Sequence, residues 1–121
     1  MSFLYFELDK ELDQASKLDI DKKLKELLEI DEPGLFTVVL HNDPVNGLDF
    51  VTGIIKKVFG YNTRKAIWLM LKAHFTGKSS LWSGDHNQAK EKMNQMVSYG
   101  PDLNMLHKGA EPLKITIEKN E

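Results

Sequence analysis

The chain of 121 residues contains no cysteine, which excludes a disulfide scaffold, a thiolate metal site and a cysteine nucleophile. Apolar runs are short, and none approaches the roughly 20 residues that a membrane-spanning helix needs. The acidic N-terminus does not read as a signal peptide, so a cytoplasmic protein without a membrane partner is expected. No dense lysine and arginine stripe is present, which argues against nucleic acid as the main partner. A glycine-rich phosphate loop, a G-x-S-x-G elbow and an H-E-x-x-H zinc signature are missing too, and each carries a distinct chemistry. No catalytic residue and no cofactor is therefore expected.

What is present fits one modest globular domain. Hydrophobic residues make up 41% and charged residues 28%, enough to build a core and to solvate its surface. The net charge of −2 is unevenly spread. Residues 1–34 hold ten acidic and five basic side chains, whereas the remainder holds eight acidic and eleven basic. The first 34 residues read as an acidic, partly helical arm, with Leu24, Leu27 and Leu28 on one face and Glu32-Pro33-Gly34 ending the run.

Residues 35–121 read as the domain proper. "LFTVVLH", residues 35–41, is a β-branched apolar run and predicts a strand. Leu48, Val51, Ile54, Ile55 and Val58 fall at helical spacing, with Gly60 as a left-handed stop. A second helix starts at an Asn62 or Thr63 cap, carries Ala66, Ile67, Met70, Ala73 and His74 inward, and closes at Gly77. "SSLWS" suggests a short strand, and a third helix places Ala89, Met93, Met96 and Val97 on its inner face. A loop with Pro101 and Gly109 leads to "PLKITIE", whose alternation marks a half-buried strand. The expected fold is α+β: a compact β-α-α-β-α-β sandwich, a three-stranded sheet with three helices on one side, preceded by the helical arm.

Between the first strand and helix lies a polar elbow, His41-Asn42-Asp43-Pro44-Val45-Asn46-Gly47. Asn42 offers a carbonyl oxygen, Asp43 a carboxylate, and a neutral His74 a ring-nitrogen lone pair. If the two helices form a hairpin, His74 approaches the elbow, and three acceptors then face one point. Such a point suits an ammonium, which has three donors. Leu48, Val51, Met70, Ala73 and Leu113 supply apolar surface for a small pocket beside it. An ammonium next to a large apolar side chain describes the first residue of a polypeptide.

Four segments in order resemble one family. "VVLHND", "LDFV", "AIWLMLKAHFTGKS" and "PLKITIEK", within residues 35–118, are similar to the motifs of ClpS, the bacterial N-end rule adaptor of the ClpAP protease. The resemblance implies that Asn42, Asp43 and His74 hold the α-amino group of an N-degron. It implies that Leu48 is a gatekeeper, and that Asn46, Val51, Met70, Ala73 and Leu113 shape the hydrophobic pocket. Lys92 matches a lysine that docks on the ClpA-type unfoldase N-terminal domain. The expected partners are N-degron peptides and that unfoldase, with the adaptor acting as a monomer. Pro44, the Asn46-Gly47 pair, Leu48, Ala73 and Asn87 depart from the usual family residues.

Other readings use the same residues. Asn-Asp-Pro and Asn-Gly are strong turn formers, so the elbow can be chain punctuation alone. His74 on an apolar face can be a core histidine. His41, Asp43, His74, His86 and His107 prompt a metal site, although their scatter does not match zinc spacing. A protein-interaction module on the same scaffold, without N-degron recognition, is the main alternative. On the first reading, alanine at Asp43 or His74 is expected to abolish binding with the fold intact.

Overall fold

The computed structural model describes residues 33–120; the helical reading of the acidic arm concerns residues outside that range. Strand β1, Phe36–His41, leads into helices α1, Leu48–Phe59, and α2, Thr63–Thr76. Strand β2, Lys78–Gly84, helix α3, His86–Ser98, a 3-10 helix at Leu103–Lys108, and strand β3, Ile115–Lys119, complete the order. The sheet runs β2-β1-β3 with both neighbours antiparallel to β1. The fold class expected from the sequence is thus the one observed.

β1 is central, which explains its nearly unbroken apolar run: five of its six residues are buried. Phe36, Val38 and Leu40 face a core shared with Val51, Ile54, Ile55 and Val58 of α1, with Leu69, Met70 and Ala73 of α2, and with Ala89 and Met96 of α3. All three helices therefore pack on that face. The other face is polar at its margins, where the Thr37 and Ser83 hydroxyls pair at 2.7 Å and His41 Nε2 lies 2.7 Å from Thr116 Oγ1.

Local chemistry bounds the helices, at Gly60, Asn62 and Gly77 where the pattern predicts. α1 stops at Gly60, whose φ of 69° is left-handed and whose N–H donates to Lys56 O at 2.8 Å. Asn62 caps α2 by accepting from Lys65 N–H at 2.8 Å, and Asp85 caps α3 by accepting from Gln88 N–H at 2.8 Å. In both cases the side-chain oxygen satisfies a backbone donor that has no intrahelical partner.

β2 carries an irregularity that periodicity did not announce. Val38 faces Trp82 and Val39 faces Ser80, so Leu81 is an extra residue, a β-bulge. Its carbonyl is taken by the Tyr61 hydroxyl at 2.7 Å. Burial raises the Tyr61 pKa above its ordinary value of 10.0. Trp82 then folds over Gly84, where a Cβ would run into the indole.

Three expectations need correction. The inner stripe of α2 is Ala66, Leu69, Met70 and Ala73, while Ile67 is 39% exposed and His74 is exposed. Helical geometry puts Ile67 and His74 on the border row beside Met70, facing the gap toward α1 rather than the core. Val97 of α3 is likewise exposed, because Ala89, Met93 and Met96 suffice to face the core. Residues 103–108 form a 3-10 helix rather than a plain loop: Asp102 caps its start by accepting from Asn104 N–H at 3.0 Å, and Gly109 ends it at φ 86°. Among the described residues no helix is long and apolar enough to cross a membrane.

Candidate functional site

The elbow hangs between β1 and α1, and one backbone bond ties it to the far end of α2. Asn42 N–H donates to Gly77 O at 2.8 Å. Gly77 sits at φ 100°, a conformation that a side chain disfavours, and its own N–H closes α2 on Ala73 O at 3.0 Å. His74, three residues before this junction, is thereby carried to the elbow. Leu40, His41, Asn42, Asp43, Leu48, Val51, Met70, Ala73 and His74 line one cleft.

The cleft has a polar rim and an apolar floor. Val51, Met70 and Ala73 are buried, and Leu48 stands at the mouth, 43% exposed. Asn42 and His74 are exposed, and no hydrogen bond engages the Asn42 side-chain amide among the described residues. The His74 ring rests edge-on against Phe75, with centroids 4.9 Å apart. The empty space is about 240 Å³ out to the open mouth, with room for about one water-sized sphere within it.

Asp43 has a second occupation. Its Oδ1 accepts from the N–H groups of Val45 and Asn46, each at 2.9 Å, and its Oδ2 accepts from the Asn46 side-chain amide. A carboxylate has about four lone-pair sites, so about one is left for a ligand. That carboxylate shapes the turn, so alanine at Asp43 is expected to loosen the elbow as well as to affect binding. Turn punctuation and ligand contact are compatible roles for one residue here.

Asn46 and Leu113 do not line the cleft. Asn46 is 4% exposed; its amide donates to Asp43 and, at 2.8 Å, to Glu111 O, while its Oδ1 accepts from Asp102 N–H at 2.9 Å. A polar side chain saturated in this way holds the loop rather than shaping an apolar pocket. Leu113 is 3% exposed inside the core. Lys92 likewise has a structural partner, since its ammonium donates to Val58 O at 3.1 Å in the last turn of α1, where a cation favours the helix dipole. Leu40 and His41 join the cleft without having been singled out. Asp102 and Glu111 went unnoticed as well, since a lone acid in a loop carries no local signature. Among the described residues no group of three or more histidine and acidic side chains could hold a metal ion, so no three of His41, Asp43, His74, His86 and His107 are placed to share one.

Comparison with known proteins supplies the family. The family described as ATP-dependent Clp protease adaptor protein ClpS matches residues 31–116. The ATP-dependent Clp protease adapter protein ClpS of Streptomyces avermitilis is 34% identical over 86 residues, 69% of this chain and 82% of that one. Its namesake from Vibrio atlanticus is 32% identical over 95 residues, covering 78% and 84%. A solved structure of Agrobacterium tumefaciens ClpS2 bound to L-phenylalaninamide is 27% identical, covers 74% of this chain and 100% of the other, and superposes with a TM-score of 0.63. A cleft between a β1–α1 elbow and the end of α2, on a three-stranded sheet backed by three helices, thus sits in a chain that belongs to the ClpS family of Clp protease adaptors and not to an enzyme family.

Proposed function

We propose that the cleft captures the first residue of a polypeptide through its free α-amino group and large hydrophobic side chain, and that the protein delivers this cargo to a Clp AAA+ unfoldase in the cytoplasm. Asn42, the remaining lone pair of Asp43, and a neutral His74 accept from the ammonium. Leu48, Val51, Met70 and Ala73 enclose the side chain. The observation that carries this reading is the juxtaposition in one cleft of acceptor groups at the rim and an apolar floor. L-phenylalaninamide, bound by the similar ClpS2, has the two complementary features: an amine and an apolar benzyl side chain on one carbon.

The energetics require both halves. Burying a phenylalanine or leucine side chain contributes roughly 1.5–3 kcal/mol. Each charge-assisted hydrogen bond adds roughly 1.5–3 kcal/mol, before the cost of immobilising the peptide. Neither contribution alone overcomes that cost, and only a chain terminus supplies both. Lys92 is proposed to meet the unfoldase through whichever of its ammonium protons Val58 O leaves free.

The test is fluorescence anisotropy with a phenylalanine-initiated peptide and its N-acetylated twin. Acetylation removes the charge and two donors, so binding is expected to weaken by about 100-fold or more, at one decade per roughly 1.4 kcal/mol. Equal affinity for the two peptides would overturn the reading.

A further inference from the structure

The elbow is also bound to a segment more than fifty residues along the chain, through bonds such as that from Asp102 N–H to Asn46 Oδ1. Asp102 is 9% exposed, well buried for a carboxylate. It accepts from Gly47 N–H at 3.2 Å and from Asn104 N–H at 3.0 Å. Asn46 completes the link through Asp43 and the Glu111 carbonyl.

The consequence falls on Leu48. Gly47 is the N-cap of α1 but has no side chain to cap it, and the Asp102 carboxylate stands there instead, where a negative charge suits the helix dipole. A Cβ on Gly47 would lie 3.0 Å from Asp102 Oδ2, so the approach is close because the residue is glycine. The next residue, Leu48, opens α1 and stands at the mouth of the cleft. Leu48 and Asp102 also border one shallow groove on the outer side of the elbow. Whatever holds Gly47 holds the backbone from which Leu48 projects.

Resting on the reading of the cleft given above, we infer that Asp102 and Asn46 form a latch that sets how far Leu48 overhangs the cleft, and thereby which first side chains enter. The cleft has room for about one water-sized sphere and Leu48 stands at its mouth, so the placement of Leu48 bears on what fits. A β-branched side chain is widest at Cβ, the part nearest the mouth, and is the shape an overhanging leucine excludes. Phenylalanine and leucine are narrow at Cβ and pass. Asp102 is thus a positioning residue that need not touch the ligand.

The experiment compares Asp102→Ala with Asp85→Ala in the full chain. Asp85 caps α3 with the same kind of bond and is absent from the cleft lining, so it controls for a loss of stability alone. Affinities for phenylalanine- and isoleucine-initiated peptides are measured, together with hydrogen exchange of the Gly47 amide in the free protein. The phenylalanine-to-isoleucine ratio is expected to fall at least about fivefold in Asp102→Ala, a range one methyl group commonly spans. In Asp85→Ala it stays within about twofold, as for a surface change away from the site. Exchange at Gly47 is expected to quicken about tenfold or more in Asp102→Ala alone, through local opening. Asp102→Asn keeps the volume but replaces one acceptor oxygen with an amide, and carries the same expectations if the alanine variant does not fold. A wild-type ratio in a folded Asp102 variant would overturn the latch, as would an equal fall in both alanine variants. Failure of the wild-type chain to bind either peptide would instead overturn the reading of the cleft, and Gly47 exchange would still report whether Asp102 holds the elbow.

Discussion

Replacing Asn42 by alanine removes an exposed amide that has no hydrogen-bond partner among the described residues. The folded state loses nothing it was using, so stability is expected to stay within about 0.5 kcal/mol of wild type. Binding loses one charge-assisted hydrogen bond, about 1.5–3 kcal/mol, which weakens affinity for a phenylalanine-initiated peptide by about 10- to 150-fold. Asp43→Ala behaves differently, because its carboxylate accepts from Val45 N–H, Asn46 N–H and the Asn46 amide. Water replaces part of those bonds in a half-exposed loop, leaving a net loss of about 2 kcal/mol. For a domain of this size that lowers Tm by roughly 8–16 °C. Anisotropy titration and thermal unfolding on the same samples separate the two effects. The reasoning fails if Asn42→Ala binds as wild type does, or if Asp43→Ala melts at the wild-type temperature.

Four further outcomes are expected. Leu48→Ala should admit isoleucine- and valine-initiated peptides by clearing the mouth of the cleft, and continued exclusion in the same titration would show that Leu48 is not the gate. Because burial raises the Tyr61 pKa above 10.0, the folded state keeps a proton that the unfolded state loses, so stability falls as pH rises past about 10; Tyr61→Phe should flatten that decline in urea melts while costing about 1 kcal/mol at neutral pH for the lost bond to Leu81 O. Gly84→Ala should destabilise by about 1–3 kcal/mol as the Trp82 indole is displaced, and an unchanged urea midpoint would contradict that packing. Lys92→Met should cost about 0.3–1 kcal/mol through the lost contact with Val58 O and should also weaken capture by a Clp unfoldase N-terminal domain in a pull-down; retained capture would confine Lys92 to its helix-end role.

Order and type of the elements were readable because they rest on local rules. A β-branched run makes β1, apolar residues three and four apart make the helices, and Gly60, Asn62 and Gly77 punctuate them. The misplacements are also local in origin. Helical spacing and apolar character together put Ile67 and Val97 inside, although each lies just off the stripe that faces the core. The 3-10 helix after Asp102 is held by one side-chain cap and a left-handed glycine, too little pattern to distinguish it from a loop.

The sequence by itself therefore determined the three strands, the three α-helices and their order, since these depend on neighbours a few residues apart, and four motifs in order pointed to the family. Tertiary structure alone decided that the Asn42 backbone meets Gly77, that Asn46 is saturated by Asp43, Glu111 and Asp102, and that Lys92 rests on Val58 O. An amide, a carboxylate or an ammonium has the same chemical valence whether a ligand or a distant backbone group satisfies it. Only the folded chain selects the partner, because hydrogen bonds reach about 3 Å and nothing along the polymer records which remote atoms come that close.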